Sequence, residues 1–316
     1  MKRYLIRAAL WALLCAMLLM AGTAQAEVYI EQEKPADWEE RDLLRITALY
    51  ALDCDSFVVE CGGQSMLVDG GNKPKEKSLT DFLTERGLQH LDIIFNSHPH
   101  DDHIEAVYNA LLHDGITADV FISPFRENYL AQDGLEFHKK TLRVLEQKGI
   151  PFRQMFSGEE LTIGGATARL YRYDGDKKKT DGRSMTLNDM SGVLWIRFGN
   201  SAILLTADIG GTVQQMMAEE FGAEGLKSDI LKAPHHGKNA VNPEMLKAVD
   251  PKLVIITGKV ARTGDCMLQM NRAGIAWKRT SYGNVVMETD GTDWYVNQEY
   301  SSKQVQNQEK QEKKRK

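Results

Sequence analysis

The stretch Leu91-Asp92-Ile93-Ile94-Phe95-Asn96-Ser97-His98-Pro99-His100-Asp101-Asp102-His103 decides how this chain is read. The mainly apolar run Leu91 to Asn96 has the length of a buried strand. It delivers four metal-type side chains, His98, His100, Asp102 and His103, within six positions. His98 and His100 stand at i and i+2, so on an extended segment both imidazoles leave the same side. Asp102 and His103 follow where the chain turns into a helix expected over Ile104 to Leu112. A single histidine is more often structural than ligating, but four such residues in one run point to a metal.

Working outward, Ile46 to Ala51, Ser56 to Glu60 and Ser65 to Val68 read as strands, with Gly62-Gly63 as a turn and Asp69-Gly70-Gly71 at the end. Leu79 to Arg86 reads as a helix begun by Ser78 and stopped by Gly87. Downstream come a strand at Val120 to Ile122, helical spacing from Tyr129 to Lys148, and strand character from Leu161 to Tyr173. A charged loop, Asp174 to Arg183, precedes a hairpin of Val193 to Phe198 and Ser201 to Ala207, joined by Gly199-Asn200 and ending at Asp208. After a helix at Thr212 to Phe221, the strand Asp229 to Ala233 delivers Pro234-His235-His236-Gly237. Asn242-Pro243 opens another helix, Leu253 to Thr257 is a buried strand, Cys266 to Arg272 is helical, and two strands flank Asp290-Gly291. Strands alternating with helices predict layered α/β packing.

His98, His100, Asp102, His103, Asp208 and His235 each follow the C-terminal end of an expected strand, the edge where ligand sites collect. Imidazole with carboxylate suits zinc, with manganese or iron as alternatives, and Asp208 is placed to bridge two ions. His90, His113 and His138 read as ordinary surface or core histidines.

The H-x-H-x-D-H run resembles the metallo-β-lactamase hydrolase superfamily, and other segments carry the same resemblance in the same order. These are Asp69 in Leu67-Val68-Asp69-Gly70-Gly71, Asp208 in Leu205-Thr206-Ala207-Asp208, and His235 in Lys232-Ala233-Pro234-His235-His236-Gly237. Asp55-Ser56, Asn188-x-x-Ser191 and the PHHG ending look most like the ComEC/Rec2-like branch. The similarity covers roughly residues 44 to 297. It implies a four-layer αββα sandwich in a single domain and one or two zinc ions. His98 and His100 would hold the first ion, Asp102, His103 and His235 the second, with Asp208 between and Asp69 orienting the site. The family's further histidine is missing, and Asn188 occupies its neighbourhood with a weaker donor.

Lys2, Arg3 and Arg7 precede an apolar run from Ala8 to Ala21, and Ala24-Gln25-Ala26 offers a cleavage site, so residues 1 to 26 read as a secretory signal. The run is shorter than the roughly 20 apolar residues of a bilayer span. After cleavage no stable membrane span is expected, the protein being secreted or held in the cell envelope. Residues 27–43 read as an N-terminal extension, 44–297 as the hydrolase domain and 298–316 as a charged tail expected to be disordered. Removal of the signal takes the formal charge from −5 to −8, and the last sixteen residues carry six basic and two acidic side chains, which leaves the body at −12. Such a body does not favour nucleic acid as partner. Cys54, Cys61 and Cys266, odd in number and without zinc-finger spacing, read as packing residues.

These observations lead to an exported metal-dependent hydrolase that attacks with a metal-bound hydroxide, the ion having lowered the pKa of water to about 7. The expected substrate is a small-molecule or cell-surface phosphoester, diester or monoester. Asp102 and Asp208 are the expected orienting carboxylates, with His236 as hydrogen-bond donor. Lys177, Lys178 and Lys179 read as a solvated loop that could also meet an anionic substrate. The alternatives are a lactam or thioester hydrolase of the same fold, and a non-catalytic metal-binding or surface-interaction protein.

Overall fold

The computed structural model describes residues 26–50, 52–72, 76–125 and 135–300. The segment before Ala26 expected to be a secretory signal, the helical spacing expected over 129–134 and the tail beyond Tyr300 lie outside the described residues.

Sixteen strands are described: β1 Val28–Ile30, β2 Leu44–Ala48, β3 Ser56–Cys61, β4 Gln64–Gly70, β5 His90–Phe95, β6 Thr117–Ser123, β7 Phe152–Gln154, β8 Glu160–Ile163, β9 Ala166–Tyr171, β10 Val193–Phe198, β11 Ser201–Leu205, β12 Ile230–Lys232, β13 Leu253–Ile256, β14 Ala276–Arg279, β15 Gly283–Thr289 and β16 Trp294–Tyr300. Six α-helices accompany them: α1 Glu76–Glu85, α2 Asp101–His113, α3 Glu136–Lys148, α4 Gly211–Leu226, α5 Pro243–Val249 and α6 Gly264–Ala273. One sheet has the order β1-β16-β15-β2-β3-β4-β5-β6-β7 and the other β14-β13-β12-β11-β10-β9-β8.

Side-chain alternation along the strands sorts the layers. Phe57 and Val59 of β3, with Leu194 and Ile196 of β10, enter a core between the two sheets. Val58 and Leu67 face the other way and pack with Ile104 and Val107 of α2 and Val144 of α3. On the far side, Leu204, Leu231 and Val254 pack with Val213 and Met217 of α4, Met245 of α5 and Met270 of α6. The result is the expected αββα sandwich.

β4 through β7 pair in parallel, and so do β11 through β14. Their C-terminal ends bring the HxHxDH run, Asp208 and the PHHG turn to one edge of the sandwich. Asn242 caps α5 by accepting from the backbone amide of Glu244 at 3.0 Å.

Several elements differ from the sequence expectation. The single strand expected over Leu161 to Tyr173 is a hairpin, β8 with β9, turning at Gly164-Gly165. Gly164 has φ +54°, and a Cβ there would lie 2.3 Å from the Cys61 carbonyl oxygen, so the turn needs a residue without one. Strands β1, β7 and β14 have too few residues for a periodic signal. β1 lies within the expected N-terminal extension, pairs in parallel with β16, and is followed by the buried Trp38. Cys54, Cys61 and Cys266 are free and buried, as the packing reading requires. Among the described residues no helix is long and apolar enough to cross a membrane.

Candidate metal centre

β5 ends at Phe95, and Asn96-Ser97 carry the chain to His98 and His100 before α2 begins at Asp101. Asp102 and His103 therefore lie in the first turn of that helix. His98 and His103 are fully buried, their rings 4.1 Å apart, and His98 Nε2 lies 3.0 Å from His100 Nδ1. Asp69, at the end of β4, has φ +55°, outside the range most L residues occupy. It accepts hydrogen bonds from Asn96 Nδ2 (3.0 Å), Ser97 N (2.8 Å) and Ser97 Oγ (2.7 Å), and its Oδ2 holds His103 Nδ1 at 2.7 Å. Asp69 thus fixes one ring nitrogen of His103 and leaves Nε2 pointing inward.

Asp208 follows β11 across Ala207, whose φ is +46°. Its Oδ1 lies 3.4 Å from His103 Nε2, and its Oδ2 lies 3.3 Å from His236 Nε2 and 3.6 Å from His235 Nε2. Asp102 adds an oxygen 3.4 Å from His236 Nε2, from a side chain about one-third exposed at the mouth.

The two histidines of the PHHG turn differ in burial. His235 and His236 both have positive φ, +48° and +59°, in a tight 3-10 turn over Pro234–Gly237. These consecutive left-handed residues carry His236 into the buried cluster, while the His235 side chain stays one-third exposed. The expected ligand His235 sits at the rim, and His236 provides the inward-facing nitrogen.

Asp55, immediately before β3, is a site residue that the sequence reading noted only as part of a resemblance. Its Oδ1 lies 3.0 Å from His236 Nδ1 and accepts from Thr257 Oγ1 at 2.7 Å, repeating on this side what Asp69 does for His103. Lys232, fully buried at the end of β12, places Nζ 2.5 Å from Asp55 Oδ2. No periodic or spacing signal marks either residue, because their partners come from different strands.

Asp55, His103, Asp208 and His236 offer ligand atoms all within 4.8 Å of one another, and His98, His100 and Asp102 form a second such group. His103 Nε2, His236 Nε2 and Asp208 Oδ1 are buried without a hydrogen-bond partner. Buried polar atoms are seldom left so, and three converging on one point fit a cation. The Asn188 side chain faces His100, its Oδ1 buried. The neighbouring lysines are tied to the protein itself: Lys177 to Glu220, Lys178 to Ser184 and Lys179 to Asp189. His90 is exposed beside Asp119, and His113 is exposed at the end of α2.

The electrostatics follow from this packing. Burial alone would lower His236, but the Asp208 and Asp55 carboxylates outweigh it and push its pKa up to about 10. His103 is raised for the same reason, burial being overcome by Asp69 and Asp208. Burial lowers His98 far below the usual imidazole range, and His103 adds to it. Asp208 is held low against its burial by His236 and His103. The carboxylates therefore draw protons onto His103 and His236, and a divalent cation at the same point would displace them.

Residues 49–118 match the metallo-beta-lactamase superfamily. This match spans β4, the HxHxDH run and α2. The chain is also 26% identical over 183 residues to ComE operon protein 3 of Bacillus subtilis (strain 168), which covers 58% of this chain and 22% of that protein. The chain thus spans about a fifth of that relative's length. Among solved structures, the metallo-beta-lactamase fold protein YhfI from Bacillus subtilis is similar with a TM-score of 0.49 and 12% identity, covering 75% of this chain and 95% of that one. CmlA, a diiron beta-hydroxylase from Streptomyces venezuelae, is similar with a TM-score of 0.48 and 16% identity, covering 78% and 53%.

Proposed function

We propose that this chain is an exported metal-dependent hydrolase of phosphoesters. The observation that carries the reading is the convergence of His103 Nε2, His236 Nε2 and Asp208 Oδ1, buried and without hydrogen-bond partners, beside His98, His100 and Asp102. A divalent ion bound there, zinc or alternatively manganese or iron, supplies Lewis acidity and a water acidic enough to attack near neutral pH.

The protein's own residues do the rest. His103, His236 and Asp208 would hold an ion from one group of donors, and His98, His100 and Asp102 from the other. Asp102, at the mouth, orients the attacking water by accepting its hydrogen bond. His235, partly exposed 3.6 Å from Asp208, takes the donor role expected of His236 and meets a substrate oxygen or leaving group.

The −12 body favours a small or surface-linked phosphoester over a polynucleotide. Export rests on the charged and apolar opening of the chain and on Ala24-Gln25-Ala26. A second reading, a binding protein without turnover, is favoured by one observation: the side chain facing His100 is the amide of Asn188, a weaker metal donor than an imidazole. Metal content of the purified protein, with bis-p-nitrophenyl phosphate hydrolysis read before and after chelation, separates the two. Chelator-sensitive turnover supports the hydrolase. A metal-loaded protein inert to phosphoesters but active on a lactam or thioester would change the substrate class, and one inert to all three would be a binding protein.

A further inference from the structure

We propose that Lys232 is a positioning residue of the metal centre, its ammonium tying together the supports of His236 and Asp208 and thereby setting the affinity for the ion. The inference rests on the metal-dependent reading above and adds to it the group that holds the donors in register.

A fully buried lysine is costly unless oxygen atoms surround its ammonium. Lys232 Nζ has three such neighbours: Asp55 Oδ2 at 2.5 Å, the Ala207 carbonyl oxygen at 2.7 Å and Asp208 Oδ1 at 3.6 Å. The other Asp55 oxygen holds His236 Nδ1 at 3.0 Å. Ala207 is the residue at φ +46° that turns β11 toward Asp208, and its carbonyl also accepts from His235 N at 3.0 Å. Residues with positive φ that are not glycine persist where the surroundings hold them. One ammonium on β12 therefore secures the carboxylate that aims His236 and the turn that presents Asp208.

The opposite side of the centre shows the contrast. There Asp69 aims His103 and is itself held by neutral donors, Asn96 Nδ2, Ser97 N and Ser97 Oγ. Ser97 Oγ also lies 3.1 Å from His98 Nδ1 and 3.5 Å from His103 Nδ1, so support on that side is spread over several neutral contacts. Lys232 reaches both Asp55 and the Asp208 turn, so its loss releases two donors at once. Lysine does not act as a ligand here, because its ammonium is taken up by Asp55 and the Ala207 carbonyl, with Asp208 Oδ1 3.6 Å away.

The test is zinc affinity measured by chelator competition on the purified full protein, with circular dichroism and unfolding of the metal-free form on the same samples. Lys232→Met keeps the length and removes the charge, and a 10- to 100-fold weaker zinc affinity with unchanged circular dichroism is expected. Asp55→Asn keeps an acceptor for His236 while removing the partner of Lys232, and should weaken zinc about 10-fold. The double variant should bind no more weakly than Lys232→Met, because the two act in one chain of contacts. A purely structural lysine would lower the unfolding temperature and leave the zinc affinity of the folded protein within threefold, which overturns the inference. If Lys232→Met does not fold, an unchanged affinity in Asp55→Asn overturns it equally. Absence of zinc binding by the unaltered protein would instead overturn the proposed function, and is read before any variant.

Discussion

His103 and His236 face each other across the centre with ring centroids 5.3 Å apart, each with Nδ1 held by a carboxylate and Nε2 turned inward. They come from opposite sheets, His103 from the helix after β5 and His236 from the turn after β12. The metal centre is therefore a junction between the two halves of the sandwich.

Which of His235 and His236 serves as a ligand is directly testable. His236→Ala removes a buried inward nitrogen and should abolish tight metal binding, with turnover falling at least about 100-fold. His235→Ala should retain its metal and lose turnover alone. Elemental analysis of both variants checks this, and loss of metal from His235→Ala with retention in His236→Ala would reverse the assignment.

Asn188 faces His100 with its buried amide oxygen. Imidazole is a better zinc donor than an amide, so Asn188→His should raise the affinity of the His98–His100 side and increase the ions bound per chain. Titration with zinc, read by elemental mass spectrometry after gel filtration, gives the stoichiometry. A count equal to that of the unaltered protein would place Asn188 outside the metal's reach.

Gly70 lies where β4 passes under α2, and a Cβ there would stand 2.5 Å from Val107 Cγ2 and 3.0 Å from Val107 N. Helix α2 carries Asp102 and His103, so pushing it away disturbs both core and site. Gly70→Ala should cost about 1–3 kcal/mol in urea unfolding. Gly211→Ala, with nothing within 4 Å of the added carbon, should stay within about 1 kcal/mol.

His138 is buried on α3 and neither ring nitrogen has a hydrogen-bond partner among the described residues. Burial lowers its pKa from 6.5 to about 4. A base depressed in this way contributes stability above pH 6.5 that is lost as the pH falls toward 4, because the unfolded chain takes up the proton first. The shift corresponds to about 3 kcal/mol. His138→Leu should flatten the fall in urea midpoint between pH 7.5 and 4.5, and an equally steep fall in that variant would assign the acid sensitivity to other groups.

Much of this protein is legible in its chain. The apolar run Leu91 to Phe95 makes a buried strand wherever it packs, and the alternation through β10 and β11 dictates two opposed apolar faces. From these follow the layered sandwich and the edge at which His98, His100, Asp102, His103 and Asp208 collect. The tertiary structure alone decided the rest. Which imidazole of the PHHG turn points inward depends on two successive positive φ angles, and both residue identities permit either outcome. Asp55 and Lys232 join the centre only because β3, distant in sequence and in the other sheet, begins beside the end of β12. Local pattern records which face of an element is apolar, whereas the meeting of elements is set by packing across the whole molecule.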